Sequence, residues 1–392
     1  MSLDPDLEQY SKMTLPSEAD FTAARLRRIE LVQQSMDQSY VDALVLTLGA
    51  DMPWLIGYEA MPLERVTALV MPRGGRPTLV VPKLEAPRVR HFDDMFSIEP
   101  WAESEDPFSL IADLVGTGAG RVGVSERTWA SWLIRLQSEL PNTTYIDSSE
   151  VTGDIRSVKD DIEIMMLRLA AEAADRVADA LMAGFVTFKG RSERQISKLI
   201  SEMLVDEGHS KVNFAIVGSG PNSASPHHEP GDRVIEFGDA VVCDFGGTFG
   251  IHEEPGYCSD TTRTFCIGEA DQEFLRLYDV LHRAQLKSTA SAISGVDLRA
   301  VDAAARDEID SEGFGEYFVH RVGHGIGLEE HELPYLAPHS VGVLKSGHAF
   351  SVEPGIYLPG RFGARIEDIV VATNHGPQSL NVSSRSLVCL DG

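Results

Sequence analysis

Residues Ala240–Gly268 read AVVCDFGGTFGIHEEPGYCSDTTRTFCIG. Two short apolar segments flank a glycine-rich turn, and each carries an aspartate: Asp244 in the first and Asp260 at the head of the second. An ionised carboxylate directly after Val241, Val242 and Cys243 would be buried at a cost of several kcal/mol unless it were paired or bound to a cation. Strand, glycine turn, strand therefore predicts a pairing that aims both acids into one small space.

Three downstream segments carry groups that fit the same space. VHRVGHGIGLEEHE (319–332) sets His324 between glycines, which let backbone approach closely. FSVEPGIYL (350–358) puts Glu353 in an apolar run, and GARIEDIVV (363–371) does the same for Glu367. Four carboxylates and one imidazole make a hard, oxygen-rich donor set suited to two divalent metal ions, Mn²⁺ first, with Co²⁺, Zn²⁺ or Fe²⁺ as other occupants. Two such ions about 3.5–4 Å apart, bridged by carboxylates, activate water and polarise a carbonyl together. Arg365, two residues before Glu367 on the same face of an expected strand, reads as a cation that orients that carboxylate and keeps it ionised.

At these residues the chain resembles the pita-bread metallopeptidases of the creatinase and methionine aminopeptidase superfamily. Within it, the chain is most similar to the Xaa-Pro dipeptidases (prolidases) and aminopeptidases P. The resemblance runs over roughly residues 20–385 and is most specific from His320 to Glu332. It departs from the pattern at Glu330, where an aliphatic residue is usual, and in the longer stretch between Asp244 and Asp260. It departs again at Tyr335, near which prolidases often carry an arginine for the substrate carboxylate; Arg361 in LPGRFGARIE is the candidate substitute.

The resemblance implies that Asp244 chelates one ion, that His324 and Glu353 hold the other, and that Asp260 and Glu367 bridge. It implies Glu353 as general base and proton shuttle, His227 (not His228) and His331 as contacts to the scissile carbonyl, and His320 as a wall of the proline pocket. The implied activity is metal-dependent hydrolysis of the Xaa-Pro bond in dipeptides or short peptides by a C2 homodimer. Same-fold enzymes of small solutes, such as ectoine hydrolases or dimethylsulfoniopropionate lyases, and non-catalytic creatinase-fold binding proteins are the alternatives. G-x-S-x-G does not occur, which argues against a serine hydrolase of that type.

A chain of 392 residues exceeds one ordinary core, so two domains are expected. The proposed division is an α/β creatinase-like domain over 1–155 and a catalytic α+β pita-bread domain over 156–392. The first domain alternates expected strands (43–48, 66–71, 78–81, 122–124, 144–146) with expected helices (21–38, 83–91, 108–115, 130–139) and has His91 as its single histidine. In the second, capping boxes at Ser157/Asp160 and Ser192/Gln195 open helices, and further helices span 272–292 and 297–311. Continuous strands are expected at 214–217, 241–245, 257–265, 349–358 and 365–372.

A net charge of −26 disfavours nucleic acid and anionic membranes as partners and leaves a small peptide as the expected one. The N-terminal segment has neither the basic nor the apolar region of a signal peptide. Four cysteines without metal-ligand spacing, Cys243 and Cys258 among them as buried small side chains, fit a reducing, cytoplasmic setting. The turn Gly250–Gly256, with His252, Glu253 and Glu254, reads as an exposed acidic loop at the pocket mouth.

Overall fold

The computed structural model describes residues 15–90, 94–252 and 254–391. Chain contacts divide it into two compact units, one ending at Thr152 and one beginning at Gly153.

In the first unit β1 (Ala43–Leu46), β2 (Ala68–Pro72), β3 (Thr78–Pro82), β4 (Ser97–Trp101), β5 (Arg121–Val124) and β6 (Thr144–Asp147) form one sheet in the order β4-β3-β2-β1-β5-β6. β2 runs antiparallel to both β1 and β3, while β4, β5 and β6 join their neighbours in parallel. The segments ALVL, ALVMP and TLVVP are apolar on both faces because both are covered. Val45, Val70 and Val80 pack with Ile111, Trp132 and Leu136 of the helices Pro107–Val115 and Ala130–Glu139. The helix expected at 83–91 is only a 3₁₀ turn at Ala86–Arg88, since Pro87 withholds an amide proton, and His91 lies outside the described residues. β4 escapes a sequence reading because Pro100 interrupts it; it survives as the edge strand, where a missing donor is tolerated.

The second unit repeats one arrangement, a pair of helices packed on an antiparallel sheet. β7 (His209–Ser219), β8 (Ala240–Phe249), β9 (Tyr257–Cys258) and β10 (Thr261–Ile267) make the first sheet, to which the late strand β18 (Val388–Leu390) adds in parallel beside β10. Helices Asp161–Met182 and Glu193–Asp206 cover it through Val177, Leu181, Ile196 and Ile200, which meet Val241, Cys243 and Phe245. β11 (Gly323–Gly325), β12 (Glu332–Leu336), β13 (Ala349–Val352), β16 (Asp368–Thr373) and β17 (Gly376–Ser379) make the other sheet, in the order β12-β11-β13-β16-β17. Helices Gln272–Ser291 and Leu298–Ser311 pack on that one. A hairpin of β14 (Gly355–Leu358) and β15 (Phe362–Arg365) stands apart, and β18 (Val388–Leu390) closes the chain.

Three strands expected to be continuous are broken in the folded chain. Tyr257–Phe265 is interrupted at Ser259–Asp260, Ala349–Leu358 at Glu353–Pro354, and Arg365–Ala372 at Ile366–Glu367. The helix beginning at Asp161 is capped by Asp160 with Glu163, not by Ser157 with Asp160; Ser157 ends the preceding helix and bonds the Asp154 carbonyl. The Ser192/Gln195 box forms as expected. No helix among the described residues is long and apolar enough to cross a membrane.

Candidate active site

Alternation along β8 sends Val241, Cys243 and Phe245 into the helix-covered core and Asp244 to the opposite face. Thr262 of β10 lies opposite Asp244 in register, so both face the same way. His324 sits on β11 at a register irregularity, and the glycines around it answer to crowding: a Cβ on Gly323 would strike the Ser351 carbonyl, and one on Gly325 the Leu333 carbonyl. Asp260, Glu353 and Glu367 occupy the three strand breaks, where the chain leaves one ladder and has not joined the next.

These elements wall a cavity of about 580 Å³. Asp244, Asp260, His324, Glu353 and Glu367 line it together with Arg365, His227, His320 and His331. One oxygen or nitrogen from each of Asp260, His324 and Glu367 falls within 4.8 Å of the others. His324 Nε2 is 3.1 Å from Glu353 Oε1 and 3.8 Å from Asp260 Oδ2. The other ring nitrogen, Nδ1, donates to the Gly325 carbonyl at 3.1 Å, which leaves Nε2 to face the carboxylates.

Neighbouring groups hold three of the four carboxylates by one oxygen. Arg365 Nη2 donates to Asp244 Oδ2 at 2.6 Å, Thr262 Oγ1 to Glu367 Oε2 at 2.7 Å, and Ser351 Oγ to Glu353 Oε1 at 3.0 Å. Asp244 Oδ1 and Glu367 Oε1 are buried and have no hydrogen-bond partner among the described residues. Buried lone pairs of this kind are costly unless something positive meets them, so a divalent cation is what the donor set fits. Burial, then Glu367 and Asp244 nearby, pushes the Asp260 carboxyl well above its ordinary range; burial, then Glu353 and Asp244, does the same to Glu367. At Glu353 burial works in that direction too, but the hydrogen bond and charge of His324, with His320 and Arg365, outweigh it and hold the carboxyl down.

Arg365 does not pair with Glu367 as expected. The break at Ile366–Glu367 turns the two apart, and the guanidinium spans to Asp244, to Thr262 Oγ1 at 3.1 Å, to Tyr357 Oη at 2.7 Å and to the Pro226 carbonyl at 3.2 Å. Tyr357, overlooked in the sequence, continues this chain to His320 Nε2 at 3.0 Å, while His320 Nδ1 donates to the Arg321 carbonyl at 2.7 Å. Both nitrogens of His320 are thus engaged by the protein, and the ring acts as a wall. A signal for Tyr357 exists: Gly355 and Gly363 stand opposite Arg365 and Tyr357 in the hairpin, and a Cβ on Gly355 would strike the Tyr357 hydroxyl.

His227 reaches the cavity wall, whereas His228 turns away to buried Glu193 at 2.7 Å. His331 packs edge-on against the His324 ring with centroids 4.0 Å apart; desolvation at the wall, then the His324 ring, brings it down to about 4. The residue after it, Glu332, is buried and held by Lys159 and, at 3.3 Å, by Arg156. Arg361 does not enter the cavity; it is exposed and bonded to Glu273 at 2.7 and 2.8 Å. No described residue of the turn 250–256 lines the cavity; His252 is exposed, Glu254 is buried rather than exposed, and Glu253 lies outside the described residues.

Residues 165–374 match the metallopeptidase family M24, and residues 28–158 match the creatinase/prolidase N-terminal domain. The chain belongs to the M24 metallopeptidases. Among M24 relatives it is 42% identical over 365 residues to the "Probable dipeptidase PepE" of Mycobacterium tuberculosis H37Rv, covering 92% of this chain and 96% of that one. Solved M24 structures agree. Dipeptidase PepE from Mycobacterium ulcerans superposes with a TM-score of 0.87 at 42% identity, covering 94% of this chain and 98% of that one. The Xaa-Pro dipeptidase from Bacillus anthracis gives 0.84 at 30%, covering 93% and 100%. As an M24 enzyme the protein is a metallopeptidase hydrolase with a creatinase-type N-terminal domain and a pita-bread catalytic domain.

Proposed function

We propose that this cavity hydrolyses the Xaa-Pro bond of dipeptides or short peptides with two divalent ions, Mn²⁺ first, held by Asp244, Asp260, His324, Glu353 and Glu367. The observation that carries the reading is the pair of buried, unpartnered oxygens on Asp244 and Glu367, set among two more carboxylates and His324 Nε2. When bound, the ions supply an activated water and a Lewis acid for the carbonyl. Glu353, with one oxygen steadied by Ser351, takes the water proton through the other and returns it to the departing prolyl nitrogen. His331, held neutral, donates from its ring N–H to the carbonyl oxygen as negative charge develops, and His227 faces the same space. His320, locked between Tyr357 and the Arg321 backbone, forms the wall against the proline ring. A C2 homodimer completes the proposal.

The test is to load the purified protein with Mn²⁺ and assay Xaa-Pro dipeptides, longer Xaa-Pro peptides and small non-peptide amides. Turnover of the first two and not the third is expected. Anomalous scattering from the same preparation should place two ions sharing Asp260 and Glu367, and light scattering should give a dimer. Turnover confined to non-peptide amides, or metal located elsewhere, would overturn the reading.

A further inference from the structure

Two guanidinium groups line the cavity, and their circumstances are opposite. Arg365 spends its donors on Asp244, Thr262, Tyr357 and the Pro226 carbonyl. The Arg321 guanidinium makes no hydrogen bond and meets no carboxylate within salt-bridge distance among the described residues, although Glu330 lines the same cavity; its charge rests on the Tyr335 ring, 4.3 Å from the centroid. Stacking on an aromatic face leaves the edge of a guanidinium, with its fork of N–H donors, free to meet a planar anion.

The chain around Arg321 is held on both sides. Arg306 donates to the Phe318 carbonyl at 3.1 Å and to the His320 carbonyl at 2.9 Å, and Asp302 accepts from Val322 N at 3.0 Å. His320 Nδ1 bonds the Arg321 carbonyl, and Glu353 N bonds the Val322 carbonyl at 2.8 Å. The side chain therefore leaves a fixed backbone between the His320 wall and the strand that carries His324. Tyr335, the platform, pairs with His324 across the β11–β12 ladder, which brings the guanidinium to the rim next to the carboxylate cluster.

Resting on the peptidase reading above, we infer that Arg321 is the substrate-binding residue for the free C-terminal carboxylate, and that it selects peptides ending at the residue just after the cleaved bond. A terminal carboxylate that enters the cavity loses hydration, and a cation with unused donors on the wall offsets that cost. Arg365 is occupied and lies behind Asp244, Arg361 is outside the cavity, and His339 on the rim carries a charge only when protonated. A dipeptide satisfies both ends of this arrangement; a longer peptide carries its carboxylate past Arg321.

The experiment compares the Mn²⁺-loaded wild type with Arg321→Gln and Arg321→Lys on an Xaa-Pro dipeptide, the same dipeptide as its C-terminal amide, and an Xaa-Pro-Xaa tripeptide. Loss of a charge-assisted, two-pronged contact predicts a rise in KM for the free acid of about 10–100-fold in Arg321→Gln, with the amide and tripeptide affected far less. Arg321→Lys should recover part of the loss. Metal content and melting temperature, measured on each sample, separate binding from misfolding. Equal losses on acid and amide with metal retained, or a wild type that does not distinguish them, would overturn the assignment. If turnover is found with dipeptides other than Xaa-Pro, the acid-to-amide ratio is read on those, and the prolyl specificity fails while Arg321 is still decided. If no peptide is cleaved, calorimetric binding of dipeptide acid against dipeptide amide decides it: a preference for the acid that vanishes in Arg321→Gln supports the role, and no preference ends it.

Discussion

The six-stranded sheet of the first unit and the two sheets of the second are built from similar apolar runs, yet they end differently. In the first, β1, β2 and β3 run unbroken and bury Val45, Val70 and Val80 against the apolar side chains of Ile111, Trp132 and Leu136. In the second, three strand-like runs break at Asp260, Glu353 and Glu367. A strand break changes what a side chain can reach. A residue inside a ladder has its side chain alternately in the core or on the far face, whereas a residue between two ladders can turn its carboxylate toward a third element. Three such breaks, with Asp244 presented from β8 and His324 from β11, gather carboxylates that no single sheet face could hold so closely.

The largest effect is expected at Glu353. Glu353→Gln at saturating Mn²⁺ is expected to lower kcat by at least ~10²-fold, since the amide cannot accept the proton, with KM moving much less. Metal content is measured on the same sample because the side chain is also a proposed ligand. Near-normal turnover at full occupancy would mean that the break serves metal binding alone.

His348 offers a titration in the second unit. Buried, it accepts from Lys345 N at 3.2 Å through Nδ1 and meets Ser157 Oγ at 3.3 Å through Nε2, an arrangement only the neutral ring satisfies. Burial, then Lys159 and Lys345, brings it down to about 4. Above the unfolded value near 6.5 both states are neutral and the stability is fully present; as pH falls toward 4 the unfolded chain takes up a proton that the folded one refuses, and stability is lost. The loss amounts to at most about 3 kcal/mol. Denaturant unfolding of the metal-free protein between pH 7 and 4 should show this slope, and His348→Asn should flatten it. An unchanged slope would refute the account.

The smallest effect is expected in the unbroken sheet. Val80→Ala removes fully buried methyl groups from β3 and should cost about 2 kcal/mol of stability while leaving kcat of the metal-loaded enzyme unchanged. A kcat defect exceeding the loss of folded protein would show that the first unit's core is not independent of the chemistry.

What could be read from residue order alone was whatever rests on neighbours in the chain. The alternation around Asp244, the glycines beside His324, the Ser192/Gln195 cap and the helices at Pro107–Val115 and Ala130–Glu139 all depend on local periodicity or local hydrogen bonds. The same locality explains the misreadings. Glu353–Pro354 and Ile366–Glu367 sit in apolar surroundings that resemble strand interiors, and nothing nearby says that the ladder partner changes there. Tertiary structure alone decided which carboxylate Arg365 holds, because Thr262, Asp244 and Tyr357 reach it from three other strands. It alone decided that Tyr357 joins Arg365 to His320, that Arg361 belongs to Glu273, and that Arg321 stacks on Tyr335. Side-chain pairing across remote strands follows from register, and register is a property of the packed sheets, not of any one segment.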